Sequence, residues 1–197
     1  MKNVLNNLKK AILLGTLFAT VTGFANDLNV ITRMDAKKTS LVIDNVKAGN
    51  KLTLKDDSGL ILYKESIEID GFYKKGFDLT ELPDGDYVFE LEKDSEIKTI
   101  PFNVTFNSVS FDKEDEKIQF KPHVREAKDL VLVSKLNPSM TATSISVYAL
   151  HDNVSSLCHS EIIEGKQVVE KVFKLEKGEY KIVINSDNKE YITFINN

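Results

Sequence analysis

The sequence predicts an all-β protein in which two tandem immunoglobulin-like β-sandwich domains follow a signal peptide. Three observations support this fold class. Apolar and polar residues alternate in short segments, turn-forming residues separate these segments at intervals of roughly 8–12 residues, and the second half of the chain repeats the first. The chain has 197 residues, 42% hydrophobic and 28% charged, which excludes a disordered, collagen-like or multi-span membrane protein.

The N-terminus has the pattern of a secretory signal. Residues 1–10 contain three lysines and no acidic residue, and residues 11–22 form an uncharged, mostly apolar run. This run is shorter than the ~20 residues that a transmembrane helix requires. Small residues precede a predicted cleavage site between Ala25 and Asn26. We therefore expect residues 1–25 to be removed and the rest to be exported to the periplasm or the medium, with no stable membrane span after processing.

Alternation with a period of two predicts strands, because successive side chains of a strand point to opposite faces. The clearest alternating segments are 41–46, 52–54, 87–91 and 180–184. Turn signals rich in glycine, asparagine, aspartate and proline lie between the strands, at 48–50, 56–59, 82–85 and 176–178. No helical periodicity is convincing after residue 25.

The two halves of the mature chain align with each other. Leu41, Ile43 and Val46 match Val131, Val133 and Leu136; Phe77 and Leu79 match Phe173 and Leu175; Gly85 and Tyr87 match Gly178 and Tyr180. The alignment predicts repeats at residues 26–105 and 106–197, each of the size of a seven-stranded sandwich. The predicted core consists of Leu41, Leu54, Phe77, Leu79, Tyr87, Phe89, Val131, Val133, Val147, Phe173, Leu175, Tyr180 and Ile182.

Each repeat contains a Gly-x-Tyr segment before a strand, formed by Gly85 and Tyr87 in the first repeat and by Gly178 and Tyr180 in the second. Glycine permits the turn into the strand. We expect the tyrosine to pack inward and its hydroxyl to bond to the preceding backbone, as in a tyrosine corner. A ligand contact is the alternative role for the two tyrosines.

The segment 77–91 contains Leu-x-x-Leu-Pro-x-Gly-x-Tyr and resembles a pattern found in secreted proteins of Bacteroidota. There it leads into the last two strands of small immunoglobulin-like modules. The first repeat is similar to small exported proteins of unknown function and to the C-terminal sorting domains of type IX secretion cargo. The second repeat resembles them more loosely, and the chain ends without the basic strand usual for a sorting domain.

The sequence contains no recognisable catalytic, cofactor-binding or metal-binding motif. His123, His151, His159 and Cys158 lack zinc-ligand spacing, and the chain has neither a nucleophile elbow nor a phosphate-binding loop. We expect Cys158 to pack as a small apolar residue, or else to form a disulfide between chains. The acidic run 112–116 is expected to be a solvated hairpin turn rather than a calcium site.

These features predict an exported, non-enzymatic protein that binds another protein or a glycan, or builds a structure in the cell envelope or outside the cell. The net charge of −4 does not indicate the excess of basic residues that is typical of proteins that bind nucleic acid. One alternative is a sorting or anchoring module of type IX secretion. The other is a hydrolase that uses paired carboxylates, which the absence of tryptophan, a common sugar platform, makes less favourable.

An unguarded strand edge is the predicted association surface. The last strand of the first repeat, residues 96–104, carries charges and Pro101, which suit a guarded edge or a bulge. The matching strand of the second repeat, residues 190–195, has one charge and no proline. We therefore expect association through Tyr191, Ile192, Thr193 and Phe194.

Overall fold

A computed structural model describes residues 33–35, 38–112, 114–151 and 154–197; the predicted signal peptide and its cleavage site between Ala25 and Asn26 lie outside the described residues. The strands within these ranges are β1 (Arg33–Asp35), β2 (Lys38–Val46), β3 (Lys51–Asp56), β4 (Ile61–Ser66), β5 (Gly71–Phe77), β6 (Gly85–Glu92), β7 (Glu96–Thr105), β8 (Ser108–Phe111), β9 (Lys117–Phe120), β10 (His123–Ala127), β11 (Leu130–Leu136), β12 (Thr143–His151), β13 (Val154–Ile163), β14 (Val168–Lys174), β15 (Glu179–Ser186) and β16 (Lys189–Asn196).

The strands form two sandwiches with the same strand order. The first pairs a β1-β2-β5 sheet with a β4-β3-β6-β7-β8 sheet, in which β9 also pairs with β7. The second pairs a β10-β11-β14 sheet with a β13-β12-β15-β16 sheet. Every strand pair is antiparallel. No α-helix occurs in the described part of the chain, so the all-β fold class is confirmed.

Each sandwich has its own apolar core between its two sheets. Leu41 and Ile43 from the smaller sheet meet Leu52 and Phe89 from the larger sheet of the first sandwich. The second core forms in the same way around Val131, Val133, Ile145, Val147, Ile182 and Ile184. Nine of the predicted core residues are buried: Leu41, Leu54, Leu79, Tyr87, Phe89, Val131, Val133, Val147 and Ile182.

Four predicted core residues are only partly buried: Phe77, Phe173, Leu175 and Tyr180. They pack against the outside of the two cores rather than within them. Alternation alone assigns a residue to a face of a sheet, but it does not say whether that position is central or peripheral.

The strand pairing divides the chain later than the sequence predicted. The expected boundary between residues 105 and 106 falls in the β7–β8 hairpin, and both β8 and β9 pair with β7 of the first sandwich. The change between sandwiches therefore occurs between β9 and β10, across residues 121–122. Lys121 N–H donates to the Ser95 carbonyl at 2.8 Å, which holds this connection against the first sandwich.

Other strands pair with the edge of β7 that faces away from β6. The prediction that β7 is an edge strand protected by charge and proline is therefore wrong. β8 pairs with residues 102–105 of β7 and β9 pairs with residues 96–99, so the two short strands lie end to end along one partner. The described residues of the acidic run, Asp112 and 114–116, consequently lie between these two strands, which do not pair with each other as a hairpin.

Pro101 explains why this covering strand is interrupted. Lys93 N–H donates to the Glu96 carbonyl at 2.9 Å, so these two residues form a hydrogen-bonded pair. Because bonded and non-bonded pairs alternate along an antiparallel ladder, the even-numbered residues of β7 bond to β6. The nitrogen of Pro101 therefore faces the outer edge, where the next pair of the β8 ladder would need an N–H that proline lacks. The chain leaves the ladder at Asp112 and rejoins it as β9.

The alignment of β2 with β11 also needs correction. Phe77 lies opposite Thr39, and Phe173 lies opposite Val131. With Phe77 matched to Phe173, Val131 therefore corresponds to Thr39 and not to Leu41. A shift of two residues keeps every side chain on the same face, so the hydrophobic pattern does not distinguish the two registers.

Candidate association surface

The strand β16 is an edge of its sheet in the described structure, where it pairs with β15 alone. Gly178 and Asn197 exchange two backbone hydrogen bonds, at 2.9 and 3.0 Å, and the alternation of an antiparallel ladder follows from that pair. Tyr191, Thr193 and Ile195 therefore direct their N–H groups to β15. The N–H groups of the intervening even-numbered residues, 190 to 196, face away from the sheet and are available to another strand.

The ladder between β15 and β16 is regular over all eight residue pairs. By contrast, the opposite edge strand of this sheet, β13, has a register shift at Val147/Tyr148, where Cys158 is the extra residue. A bulge twists an edge and hinders the pairing of another strand. Charge on β16 is limited to Lys189 and Glu190 at its start. The regular, weakly charged edge is thus β16.

Two exposed apolar side chains lie on the outer face beside this edge. Both side chains lie on the solvent side of the sheet, where Ile192 is 49% exposed and Phe194 is 68% exposed. Val183 lies opposite Ile192, and Lys181 lies opposite Phe194 with its ammonium 4.8 Å from the ring centroid of Tyr148. A strand that pairs with β16 would bring its own side chains next to Ile192 and Phe194.

The matching face of the first sandwich is charged. Glu90 of β6 occupies the position of Val183, and its carboxylate accepts hydrogen bonds from Lys55 and Lys189, both at 3.0 Å. Burial opposes ionisation of Glu90, but the two ammonium groups hold its pKa below the ordinary value. The Lys189 contact also joins the start of β16 to the first sandwich.

The two predicted tyrosine positions differ in geometry. Tyr87 is buried, and its hydroxyl donates to the Pro83 carbonyl at 2.8 Å, which is the bond of a tyrosine corner. Tyr180 is half-buried, and burial raises its pKa. Gly178 has a φ of +154°, which favours glycine, whereas Gly85 has no positive φ. Both glycine–tyrosine segments lie at the start of a strand, where they shape the turn into it.

A group of ionisable side chains joins the edges of the two sheets in the first sandwich. Glu65 of β4 accepts hydrogen bonds from Lys75 and Tyr73 of β5 and from Tyr63. Burial opposes ionisation of Glu65, but these donors hold its pKa below the ordinary value of 4.5. The ring of Phe77 packs edge-on against Tyr63, with centroids 5.3 Å apart.

The second sandwich repeats this group at matching register positions. Glu161 accepts hydrogen bonds from Lys171 of β14, at 2.6 Å, and from His159, at 3.1 Å. Phe173 packs against His159, with centroids 5.4 Å apart. We call each group, Tyr63-Glu65-Lys75 and His159-Glu161-Lys171, the edge clasp. Each clasp joins an edge strand of one sheet to an edge strand of the other.

The remaining predicted candidates are not brought together. Cys158 is exposed, so the prediction that it packs as an apolar residue is wrong. His123 and His151 are also exposed, on β10 and at the end of β12. Among residues 33–35, 38–112, 114–151 and 154–197, no three His, Cys, Asp or Glu side chains are placed to hold a metal ion. The absence of a cofactor and of catalysis remains a prediction.

A groove of about 660 Å³ lies where the β15–β16 turn approaches β9. Gln119 donates to the Asp187 carbonyl at 3.4 Å across this junction. Beneath it, the ammonium of Lys135, whose side chain is only 1% exposed, bonds to Asp187 at 2.9 Å. The hydroxyl of Tyr191 is buried nearby without a hydrogen-bond partner in the described structure. These contacts anchor the start of β16 and leave its outer edge open.

Comparison with known proteins gives a weak structural likeness. No family model and no curated protein matches the chain. A solved structure titled "Biofilm associated protein - BSP domain" is 14% identical, with a TM-score of 0.28, over 81% of this chain. The chain spans only 27% of that protein. No helix in the described ranges is long and apolar enough to cross a membrane.

Proposed function

We propose that this protein is an exported, non-enzymatic module that binds another polypeptide by accepting an extended strand on the free edge of β16. One observation carries the proposal: the even-numbered N–H groups of a regular eight-residue edge face outward. Backbone hydrogen bonds give affinity in strand addition, and pockets for alternate side chains give specificity. Ile192 and Phe194 would contact the side chains of the added strand.

The first sandwich supports the same proposal, because its corresponding edge already carries added strands. β7 corresponds to β16, and its outer side is paired with β8 and β9 from the same chain. This sandwich architecture therefore accommodates an antiparallel strand at that edge. A glycan ligand is less favoured, because the exposed surface of β16 offers backbone groups and aliphatic side chains rather than stacked aromatic rings.

Export is part of the proposal and rests on the predicted signal peptide. We expect the protein recovered from outside the cytoplasm to begin at Asn26, as measured by intact mass spectrometry. A recovered protein that begins at Met1 would contradict this part of the proposal. A role as a sorting module of type IX secretion would additionally require that residues 106–197 direct the export of a fused cargo protein.

A photo-crosslinking amino acid at position 192 tests strand addition in the full chain. The matched control carries the same amino acid at Leu157, which is 58% exposed on the same face but lies on the bulged edge strand β13. We expect position 192 to crosslink one defined polypeptide segment in the native host, and position 157 to give little product. Equal labelling from both positions, or a scatter of unrelated proteins at position 192, would contradict the proposal.

A further inference from the structure

The side chains of β16 are arranged so that the strand complements itself. Its outward-facing N–H groups belong to even-numbered residues, so an antiparallel partner must place even residues opposite even residues to form hydrogen-bonded pairs. This parity also keeps the core-facing side chains of both strands on one side of a continuous sheet. Pairing with Thr193 opposite Thr193, or a register moved by two residues, satisfies these conditions.

Charge and side-chain type select between these registers. With Thr193 on the axis, Ile192 lies opposite Phe194, Tyr191 lies opposite Ile195, and Glu190 lies opposite Asn196. Apolar side chains then contact apolar ones. Glu190 and Lys189 of one strand lie far from Glu190 and Lys189 of the other strand. If Ile192 lay on the axis instead, Glu190 would lie opposite Phe194, and if Phe194 lay on the axis, Ile192 would lie opposite Asn196; both arrangements place a polar side chain against an apolar one and are less favourable.

We propose that the strand bound at β16 is β16 of a second copy of this chain, paired antiparallel with the two Thr193 residues at the twofold axis. This inference rests on the proposed function, because it names the polypeptide that the edge accepts. Identical surfaces related by a twofold axis form a closed dimer. The two four-stranded sheets become one sheet of eight strands, and Ile192 and Phe194 of both copies form one apolar cluster across the junction.

Cysteine crosslinking tests the register. Thr193→Cys is made in the mature full chain with Cys158→Ser, so that position 193 carries the only thiol. The two residues at the axis form a non-hydrogen-bonded pair, with Cα atoms ~4.5 Å apart, which a disulfide spans. Tyr191→Cys in the same background is the matched control, because its two copies lie ~13 Å apart along the strands. Oxidised glutathione serves as the oxidant.

We expect Thr193→Cys to give a covalent dimer on non-reducing gels and Tyr191→Cys to give at least tenfold less. Equal dimer from both variants would overturn the register, and no dimer from Thr193→Cys would overturn self-pairing. Sedimentation of the unoxidised proteins is the second measurement. The unmodified chain and Leu157→Lys should dimerise with increasing concentration, whereas Ile192→Lys should remain a monomer with an unchanged circular dichroism spectrum.

The two proposals fail in different ways. If position 192 crosslinks a segment of another protein and Thr193→Cys gives no dimer, the further inference is wrong and strand addition stands. If position 192 crosslinks no defined segment and no dimer forms, both are wrong. A crosslink from position 192 to residues 192–196 of a second copy supports both.

Discussion

The seventh strands of the two sandwiches, β7 and β16, occupy the same position but face different surroundings. β7 is covered by β8 and β9, and it presents Thr99 and Pro101 on its outer face. In the described structure β16 pairs with β15 alone, and it presents Ile192 and Phe194 at the matching positions. The fold therefore accommodates a further strand at this edge, and the covered and uncovered edges carry different outward side chains.

The largest effect is expected from removing a central core ring rather than a peripheral one. Phe89 is fully buried and packs against Phe77 and Phe102, so Phe89→Ala should lower the free energy of unfolding by about 3–5 kcal/mol. Phe173 lies at the periphery of the second core, and Phe173→Ala should cost less than half as much. Urea denaturation measures both; equal losses would contradict the assignment of Phe173 to the periphery.

Within the described residues, each sandwich has one buried lysine, and removing its partner charge should give the next largest effect. The ammonium of Lys135 bonds to Asp187, and that of Lys98 bonds to Glu116 at 2.7 Å. Asp187→Asn should lower the free energy of unfolding by about 3 kcal/mol, because it leaves a buried charge unpaired.

Glu116→Gln is the comparison variant, and we expect a loss of about 2 kcal/mol because Glu116 is more exposed than Asp187. This substitution should also increase amide exchange in β9, since Glu116 precedes that strand. A larger loss for Glu116→Gln than for Asp187→Asn, measured by urea denaturation, would reverse the predicted order.

The edge clasps should give a smaller effect that depends on pH. Glu65 accepts hydrogen bonds from three side chains and Glu161 from two, so Glu65→Gln should cost about 1–2 kcal/mol and Glu161→Gln about 1 kcal/mol at neutral pH. Both carboxyl groups have pKa values held below 4.5, because burial is outweighed by hydrogen bonds from the neighbouring donors.

The sign of the pH dependence follows from these lowered pKa values. A carboxyl group whose pKa is lower in the folded state contributes its stability above the unfolded pKa and loses it as the pH falls through the folded pKa. The unmodified protein should therefore lose stability below about pH 4.5, and Glu65→Gln should lose less over the same range. Parallel curves of melting temperature against pH would show that the clasp does not contribute.

The smallest effect is expected at Pro101, whose nitrogen faces the interruption between β8 and β9. Pro101→Val should change the free energy of unfolding by less than about 1 kcal/mol and should produce no new association, because the edge is already covered. If Pro101→Val made the protein associate, proline would be acting as the guard of an open edge, and the covering role of β8 and β9 would be wrong.

The sequence predicted the two β-rich repeats and most of their cores because alternation and turn residues are local signals. It did not predict that residues 108–120 belong to the first sandwich, since the pairing of β8 and β9 with β7 depends on long-range hydrogen bonds. The predicted alignment of β2 with β11 was displaced by two residues. A hydrophobic pattern with a period of two fits both alignments equally well, so the sequence could not distinguish them. Matching Lys-x-Phe segments at Lys75 and Lys171 could have revealed the clasp.

Part of the candidate surface was predictable from the same local signals. The low charge of residues 190–195 indicated a weakly guarded strand, whereas its position at the sheet edge required the topology. The direction of each N–H group also required the structure, because it depends on the bonded pair formed by Gly178 and Asn197. The side chain of Thr193 shares the inner face with Ile182, whereas the side chain of Ile192 faces outward.

Amide hydrogen exchange at several protein concentrations compares the edge of β16 with that of β7 in one molecule. We expect the amides of Glu190, Ile192, Phe194 and Asn196 to exchange quickly at low concentration and to become protected as the concentration rises. The amides of Ile97, Thr99 and Asn103 in β7 should be protected throughout. Protection of β16 that is already complete in the monomer, or equally fast exchange in β7, would contradict the account of one covered edge and one open edge.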